Sequence, residues 1–138
     1  MQQGKTYQEL NIGDRASLKK QITESDVFQF AAVSGDNNPL HLDEEYASRT
    51  RFQGRIAHGM LSASLISALI GTVLPGSGNI YVSQTLNFRA PVWFGDVIEA
   101  EVEVVEKMER FRVRLRTVCR NQDGVTVIDG EAIVLPPH

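Results

Sequence analysis

Apolar residues run from Ala57 to Leu74 with almost no polar face, and this stretch predicts the longest helix of the chain. A helix that is apolar all round has to be buried, either in a bilayer or beneath a sheet. Serines and glycines interrupt the run, whereas a membrane span needs about 20 consecutive apolar residues. The pattern therefore favours a soluble domain organised around one buried helix.

The half of the chain before this helix shows shorter patterns. Residues 15–22 are typical of a strand, and Thr23 with Asp26 three residues later predicts the N-cap and capping box of a helix that ends at Ser34-Gly35. The other predicted elements of this half are a leading loop at 7–13, a turn at 36–39, a short helix at about 43–50 and a polar loop at 51–55.

After the central helix the period changes from that of a helix to that of strands. Ile80, Val82, Leu86 and Phe88 alternate with polar or amphipathic residues, which predicts a half-buried strand. Further strands are predicted at 97–106, 110–120 and 125–135, with an Asp123-Gly124 hairpin before the last. These four strands are expected to form an antiparallel meander.

Charges test the pairing of the middle strands. Glutamates 99, 101 and 103 alternate along one strand, and arginines 112, 114 and 116 alternate along the next. A hairpin turning near Lys107-Met108 places the two rows opposite each other, and each pair contributes about 0.2–1 kcal/mol. Partnered surface charges explain this arginine row better than an anion-binding site does.

Composition narrows the class of protein. The 138 residues predict one domain, 1–138. A net charge of −3 gives no electrostatic case for binding nucleic acid or an anionic membrane. The lone Cys119 and an amino terminus without an apolar signal core favour the cytoplasm. The histidines, at 41, 58 and 138, are too scattered to predict a metal site.

Candidate chemistry lies in the turn after the first helix. Asp36 and His41 are five residues apart across a turn that contains Pro39, so their side chains can converge without a helix or strand to hold them. A carboxylate and a neutral imidazole can hold one water and move a proton near neutral pH. On spacing alone, a turn in which Asp36 caps local amides and His41 simply packs explains the pattern as well.

The segment Val33-Ser34-Gly35-Asp36-Asn37-Asn38-Pro39-Leu40-His41, preceded by Phe30, resembles the hydratase motif of the MaoC-like family, the (R)-specific enoyl-CoA hydratases. The likeness continues through Ala57-His58-Gly59-Met60 and the apolar helix. It continues again through Leu86-Asn87-Phe88, Pro91-Val92 and Gly95-Asp96. It covers nearly the whole chain, and the Asp-x-Asn-Pro-x-His run is its most specific part.

The resemblance implies an α+β hot-dog fold, in which an antiparallel sheet wraps one long helix and two subunits form a homodimer. It also implies syn hydration of a trans-2-enoyl-CoA to an (R)-3-hydroxyacyl-CoA, without a cofactor. Asp36 and His41 would be the catalytic dyad, and Asp36 is favoured as the principal base. The amide of Gly59, at a helix N-terminus, suits the oxyanion of the intermediate.

Three further residues receive lesser roles in this interpretation. Asn38 is expected to shape the turn behind the dyad. By resemblance Ser67 contacts the catalytic region, although a hydroxyl bonded to its own helix would explain it equally well. His58 is expected to be satisfied locally at the start of the helix rather than to act as a catalyst.

Two other functions remain open. A hot-dog acyl-CoA thioesterase would share the fold and the ligand but would hydrolyse the thioester, and the Asp-x-Asn-Pro-x-His run argues against it. A non-catalytic acyl-CoA-binding module would normally carry an output domain, which a chain with about a dozen residues before its first strand would lack. The presence of both dyad residues also disfavours this third alternative.

Overall fold

A computed structural model describes residues 3–138. Its first helix, α1 (Glu24–Ser34), begins as the sequence predicts. The Thr23 side chain accepts a hydrogen bond from the amide of Asp26, and the Asp26 carboxylate accepts one from the amide of Thr23. Gly35, at φ 78°, ends the helix in the left-handed conformation that glycine adopts without strain. The predicted capping box is confirmed.

The segment predicted as a bare turn is partly helical. A one-turn helix, α2 (Pro39–Leu42), contains His41, so the expectation that no helix holds this residue was wrong. Pro39 takes the first position of α2, where its missing amide hydrogen costs nothing. The predicted short helix follows as α3 (Glu44–Ser48), and the central helix is α4 (Gly59–Thr72).

One antiparallel sheet wraps α4, in the strand order β1-β4-β5-β6-β2, with β3 also paired to β6. The strands are β1 (Arg15–Gln21), β2 (Ile80–Gln84), β3 (Asn87–Phe88), β4 (Val97–Lys107), β5 (Val113–Arg120) and β6 (Thr126–Leu135). This is the predicted hot-dog architecture. The meander holds for β4 to β6, but β2 lies beyond β6 instead of beside β4, so the simple four-strand meander was wrong.

The central helix is buried on one side only. Its inner face packs into the core through Leu65, Ile66, Leu69 and Ile70, which are at most 7% exposed. Its outer face carries the exposed small residues Ser64, Ser67, Ala68 and Gly71. The prediction of a helix buried all round was therefore wrong for the single subunit, because small residues make a face look apolar without requiring a partner.

The two edges of the sheet differ in chemistry. β1 carries Arg15, Lys19 and Lys20, and positive charge along an edge discourages pairing with another chain. β2, at the opposite edge, leaves Ile80 60% and Val82 46% exposed. The period-2 pattern predicted that these two residues would be buried, and that prediction was wrong for the single subunit.

The predicted charge ladder is present between β4 and β5. Arg116 contacts both Glu101 and Glu103, and Arg114 contacts Glu106. The register differs from the prediction: Glu103 lies opposite Arg116 and Glu99 opposite Arg120, because the connection between β4 and β5 spans residues 108–112 and is longer than the predicted turn. Arg114 and Arg116 are thus partnered surface charges, as predicted, whereas Arg112 lies before β5 and outside the ladder.

Every helix in residues 3–138 is too short or too polar to cross a bilayer.

Candidate active site

A cavity of about 430 Å³ opens beside the N-terminus of α4, between the α1–α2 turn and the inner side of β3 and β6. Asp36, His41 and Gly59 all line it. Apolar side chains form much of the remaining wall: Phe52, Ile56, Ala57, Phe88, Val92, Val127 and Ile128. The structure therefore brings the predicted dyad and the predicted amide donor to one partly apolar pocket.

Local hydrogen bonds fix Asp36 at the mouth of this cavity. Its amide donates to the Ser34 hydroxyl oxygen at 3.1 Å, and its carboxylate accepts from the Asn38 amide at 3.3 Å. The Asn38 side chain in turn accepts from the Leu40 amide at 3.0 Å and caps α2. Asn38 thus shapes the backbone that carries the dyad, and its side chain is not among those that line the cavity.

His41 is held in a single tautomer by the backbone. Its Nδ1 lies 2.7 Å from the carbonyl oxygen of Ile56. Because a carbonyl can only accept, Nδ1 carries the proton and Nε2 is left with a free lone pair. Burial lowers the pKa of His41 below its ordinary value of 6.5, which outweighs the opposing effects of the Ile56 bond and of Asp36. His41 is therefore a neutral base near pH 7.

His58 takes a larger part in the site than the sequence indicated. It is 2% exposed, and its Nε2 donates to the backbone carbonyl of Asp36 at 3.0 Å. Its ring also lies against the rings of His41, at 4.0 Å between centroids, and Phe30, at 4.9 Å. His58 thus ties the start of α4 to both dyad residues as a positioning residue. The signal available in the sequence was a histidine one residue before the predicted amide donor, Gly59.

Asp36, His41 and His58 offer ligand atoms that all lie within 4.8 Å of one another. The statement that the histidines are too scattered was therefore wrong for His41 and His58. A metal must lie near the plane of each ring that binds it, whereas these rings face each other at a tilt of 35°. One nitrogen of each ring binds a backbone carbonyl, as it also would in a metal site, so the relative orientation of the rings decides. The cluster fits proton transfer and ring stacking better than metal coordination.

Gly59 lines the cavity at the N-terminus of α4. It is the first residue of α4, where amides have no acceptor within the helix and where the helix dipole favours negative charge. A Cβ at this position would lie 2.6 Å from the Phe88 ring, so only glycine fits between helix and ring. The close approach of Phe88 explains why the residue is glycine, and its amide at the helix N-terminus is available to a negatively charged group in the cavity.

Ser62, and not the predicted Ser67, is the serine of α4 that lines the cavity. Ser67 lies on the exposed face of α4 and does not line the cavity, so its predicted contact with the dyad was wrong within one subunit. Ser62 lines the cavity, is fully buried, and has a hydroxyl without a hydrogen-bond partner among residues 3–138. Spacing could have indicated this, because Ser62 is three residues from Gly59 and so on nearly the same face.

Together these groups can hold one water between a carboxylate and a neutral imidazole, and can place an amide N–H near a developing negative charge. The apolar wall lowers the local dielectric and so strengthens each of these interactions. This combination suits addition or removal of water next to a polarised carbonyl.

Comparison with known proteins gives the same picture. Residues 9–125 match the family model described as MaoC like domain. The chain is 54% identical over 132 residues to the 3-hydroxybutyryl-CoA dehydratase of Methylorubrum extorquens, covering 95% of this chain and 83% of that protein. It is 50% identical over 132 residues to the (R)-specific enoyl-CoA hydratase of Rhodospirillum rubrum, covering 95% and 91%.

A solved structure is equally similar. The unliganded R-hydratase PhaJ1 of Pseudomonas aeruginosa superposes with a TM-score of 0.93 at 52% identity, covering 98% of this chain and 87% of that one.

Proposed function

Because this chain belongs to the MaoC-like domain family, we propose that its Asp36 and His41 catalyse the hydration of trans-2-enoyl-CoA to (R)-3-hydroxyacyl-CoA, a reversible reaction. The enzyme is a hydro-lyase. The observation that carries the assignment of residues is the tautomer of His41: its Nδ1 is bonded to the Ile56 carbonyl, so Nε2 keeps the lone pair, and His41 and Asp36 line the same cavity.

The dyad and the Gly59 amide each have a role in this reaction. The dyad holds the water and removes one proton as its oxygen adds to Cβ of the enoyl group. Electrons move onto the thioester oxygen, where the Gly59 amide stabilises the enolate. A dyad residue then returns a proton to Cα on the same face, which makes the addition syn. The water's oxygen and both its hydrogens are thereby accounted for, and no cofactor is needed.

The direct test of this function is a spectrophotometric assay with crotonyl-CoA. Hydration removes the absorbance of the conjugated enoyl thioester and releases no thiol. A thioesterase would release free coenzyme A, which a thiol reagent detects. A binding module would change neither signal. Thiol release at the rate of absorbance loss would contradict the proposal.

We expect kcat/KM to fall on the acid side with a midpoint below pH 6.5. His41 must be neutral to accept a proton, and burial lowers its pKa, so acid inactivates the enzyme only below the ordinary histidine range. The lowered pKa of His41 also makes the stability of the folded state depend on pH. The folded state disfavours protonated His41, so this stability is present above pH 6.5 and is lost as pH falls through the lowered pKa.

The measurement is a pH profile of kcat/KM with crotonyl-CoA, which reports the free enzyme. His41→Gln removes the titrating nitrogen and should abolish this part of the acid limb in the residual activity. An acid midpoint above pH 6.5 in the unmodified enzyme would contradict the environment assigned to His41.

We also propose that two subunits associate through β2. This edge exposes Ile80 and Val82, whereas the β1 edge is charged. Pairing β2 with its copy across a two-fold axis would extend one sheet through both subunits and bury these residues. The apolar pattern of β2, unexplained within one subunit, would then be that of a strand buried in the dimer.

Sedimentation should give twice the chain mass of 15.3 kDa at micromolar concentration. Val82→Glu places a charge in the paired edge and should shift the enzyme toward monomer. Val33→Glu is the matched control, because Val33 lies on α1 and is 84% exposed. A monomeric unmodified protein, or equal dissociation by both variants, would contradict pairing through β2.

A further inference from the structure

The loop between α3 and α4 carries a basic side chain to the cavity that holds the dyad. Arg51 and Phe52, both in this loop, line the same cavity as Asp36 and Gly59. The Arg51 side chain is exposed, so it stands at the rim rather than inside. The hydration mechanism above uses neither residue, and both occur in a stretch that the sequence marked only as a polar loop.

Hydrogen bonds make this loop a defined support. The amide of Phe52 donates to the Thr50 hydroxyl at 3.2 Å, and the amide of Gln53 donates to the Thr50 carbonyl at 3.0 Å. Gln53 adopts a φ of 59°, which is uncommon for a residue with a side chain and marks a constrained turn. The backbone that presents Arg51 is therefore ordered before any ligand arrives.

Arg55, at the end of the loop, anchors it to the rest of the molecule. Its guanidinium contacts Glu44 of α3 at 3.1 Å and Glu24 of α1 at 2.5 Å, and it lies over the ring of Phe94. Two carboxylates thus neutralise Arg55 and fix the loop to both helices. Arg55 therefore has a structural role. Arg51 is the arginine of this loop that faces the cavity.

Arg51 differs from the other rim arginine in its partners. Arg89 also lines the cavity, but its Nε lies 3.1 Å from the carboxylate of Asp129. Among residues 3–138, Arg51 has no carboxylate within ion-pair distance, and its guanidinium lies 4.9 Å over the Phe52 ring. The ring restricts the guanidinium without neutralising it, so its donors remain available to an anion.

We propose that Arg51 binds a phosphate group on the carrier part of the thioester substrate. This inference rests on the proposed function, because that substrate carries phosphates at the far end of the arm whose acyl end reaches the dyad. A chain of net charge −3 repels such a polyanion overall, so an unpaired arginine at the cavity mouth offsets this repulsion locally. A planar guanidinium also matches phosphate oxygens in two parallel hydrogen bonds.

The test compares Arg51→Gln with the unmodified enzyme on two substrates, crotonyl-CoA and crotonyl-pantetheine. The second keeps the thioester and the amide arm but has no phosphate. Arg51→Gln should raise KM for crotonyl-CoA about tenfold or more with little change in kcat, as expected for a lost charged hydrogen bond. It should leave crotonyl-pantetheine hydration unchanged.

Arg49→Gln is the matched control. Arg49 lies two residues away, is exposed, and does not line the cavity. The Arg49→Gln variant removes the same charge from the same region but outside the cavity. It should therefore leave KM for crotonyl-CoA near its original value. Rising salt should also weaken crotonyl-CoA binding in the unmodified enzyme more than in Arg51→Gln.

A third substrate identifies the phosphate. Crotonyl-4′-phosphopantetheine keeps the one phosphate that coenzyme A shares with an acyl carrier protein. If Arg51→Gln also raises its KM, the contact is to that shared phosphate; if only crotonyl-CoA is affected, the contact is to the nucleotide end. Both results agree with the proposal.

The inference is overturned if Arg51→Gln leaves crotonyl-CoA unaffected, if it impairs crotonyl-pantetheine equally, or if Arg49→Gln has the same effect. The second result would place Arg51 on the amide arm or the dyad. Failure of the proposed function looks different, because the unmodified enzyme would then hydrate none of the three substrates.

Discussion

Replacing Asp36 by Asn should lower kcat for crotonyl-CoA by about 100- to 10,000-fold, the usual contribution of a general acid–base group. Asparagine keeps the size of the side chain and an oxygen that can accept from the Asn38 amide, so the turn should persist. What disappears is the carboxylate beside His41, within the 4.8 Å cluster. KM should change little, because the apolar wall and Gly59 are untouched.

The measurement is steady-state hydration, with circular dichroism and thermal unfolding to show that the variant is folded. Asp43→Asn is the matched control. Asp43 caps α3 through a bond from the Tyr46 amide, and asparagine caps a helix about as well. This control makes the same chemical change seven residues away and should keep full activity. Near-normal hydration by Asp36→Asn would move the chemistry elsewhere.

The double variant with His41→Gln tests whether the two residues act as one unit. If both act on one water, either single change disables the unit, and the double variant is scarcely worse than the worse single one. Losses that multiply would instead assign the two residues to separate steps, one in the removal and one in the return of the proton.

Replacing Gly59 by Ala should lower kcat about 100- to 1000-fold, the usual effect of losing one oxyanion donor. The added Cβ would meet the Phe88 ring at 2.6 Å, so either the ring or the first turn of α4 has to move. Movement of that turn withdraws the amide from the thioester oxygen. The loss should fall on kcat rather than KM, since the enolate charge exists only beyond the ground state.

Gly71→Ala controls for glycine in the same helix. A Cβ at Gly71 has no neighbour within 4 Å, and alanine favours a helix over glycine by about 1 kcal/mol. Gly71→Ala should therefore be fully active and slightly more stable to heat. A Gly59→Ala variant that keeps kcat would show that Phe88 alone yields and that the amide stays in place or is not the donor.

The fold was predictable wherever a short-range rule decided the structure. The Thr23–Asp26 capping box, the Asp123-Gly124 turn and the helix-to-strand change after Leu74 each depend on a few neighbouring residues. The alternating Glu and Arg residues likewise predicted that β4 and β5 pair with each other as a hairpin. The position of β2 beyond β6 depends on long-range packing, which no local pattern encodes.

The candidate site was predictable only in part. Asp36, His41 and Gly59 came from a specific motif, and the structure places all three on one cavity. The helix α2 was missed because four residues are too few to show a helical period. The link from His58 to the Asp36 carbonyl spans 22 residues, and the sequence does not reveal which carbonyl a histidine will meet. Ser67 was misplaced because the face of α4 that the sheet covers is set by tertiary packing.

The unlike edges of the sheet also limit how far it can grow. In the proposed dimer both β2 edges would be paired with each other, and the two-fold axis would leave a lysine-bearing β1 at both ends of the joined sheet. A strand arriving from a third chain would meet positive charge at either end. The proposed assembly through β2 would therefore stop at two subunits, and a fold built on an open sheet would avoid growing into a fibril.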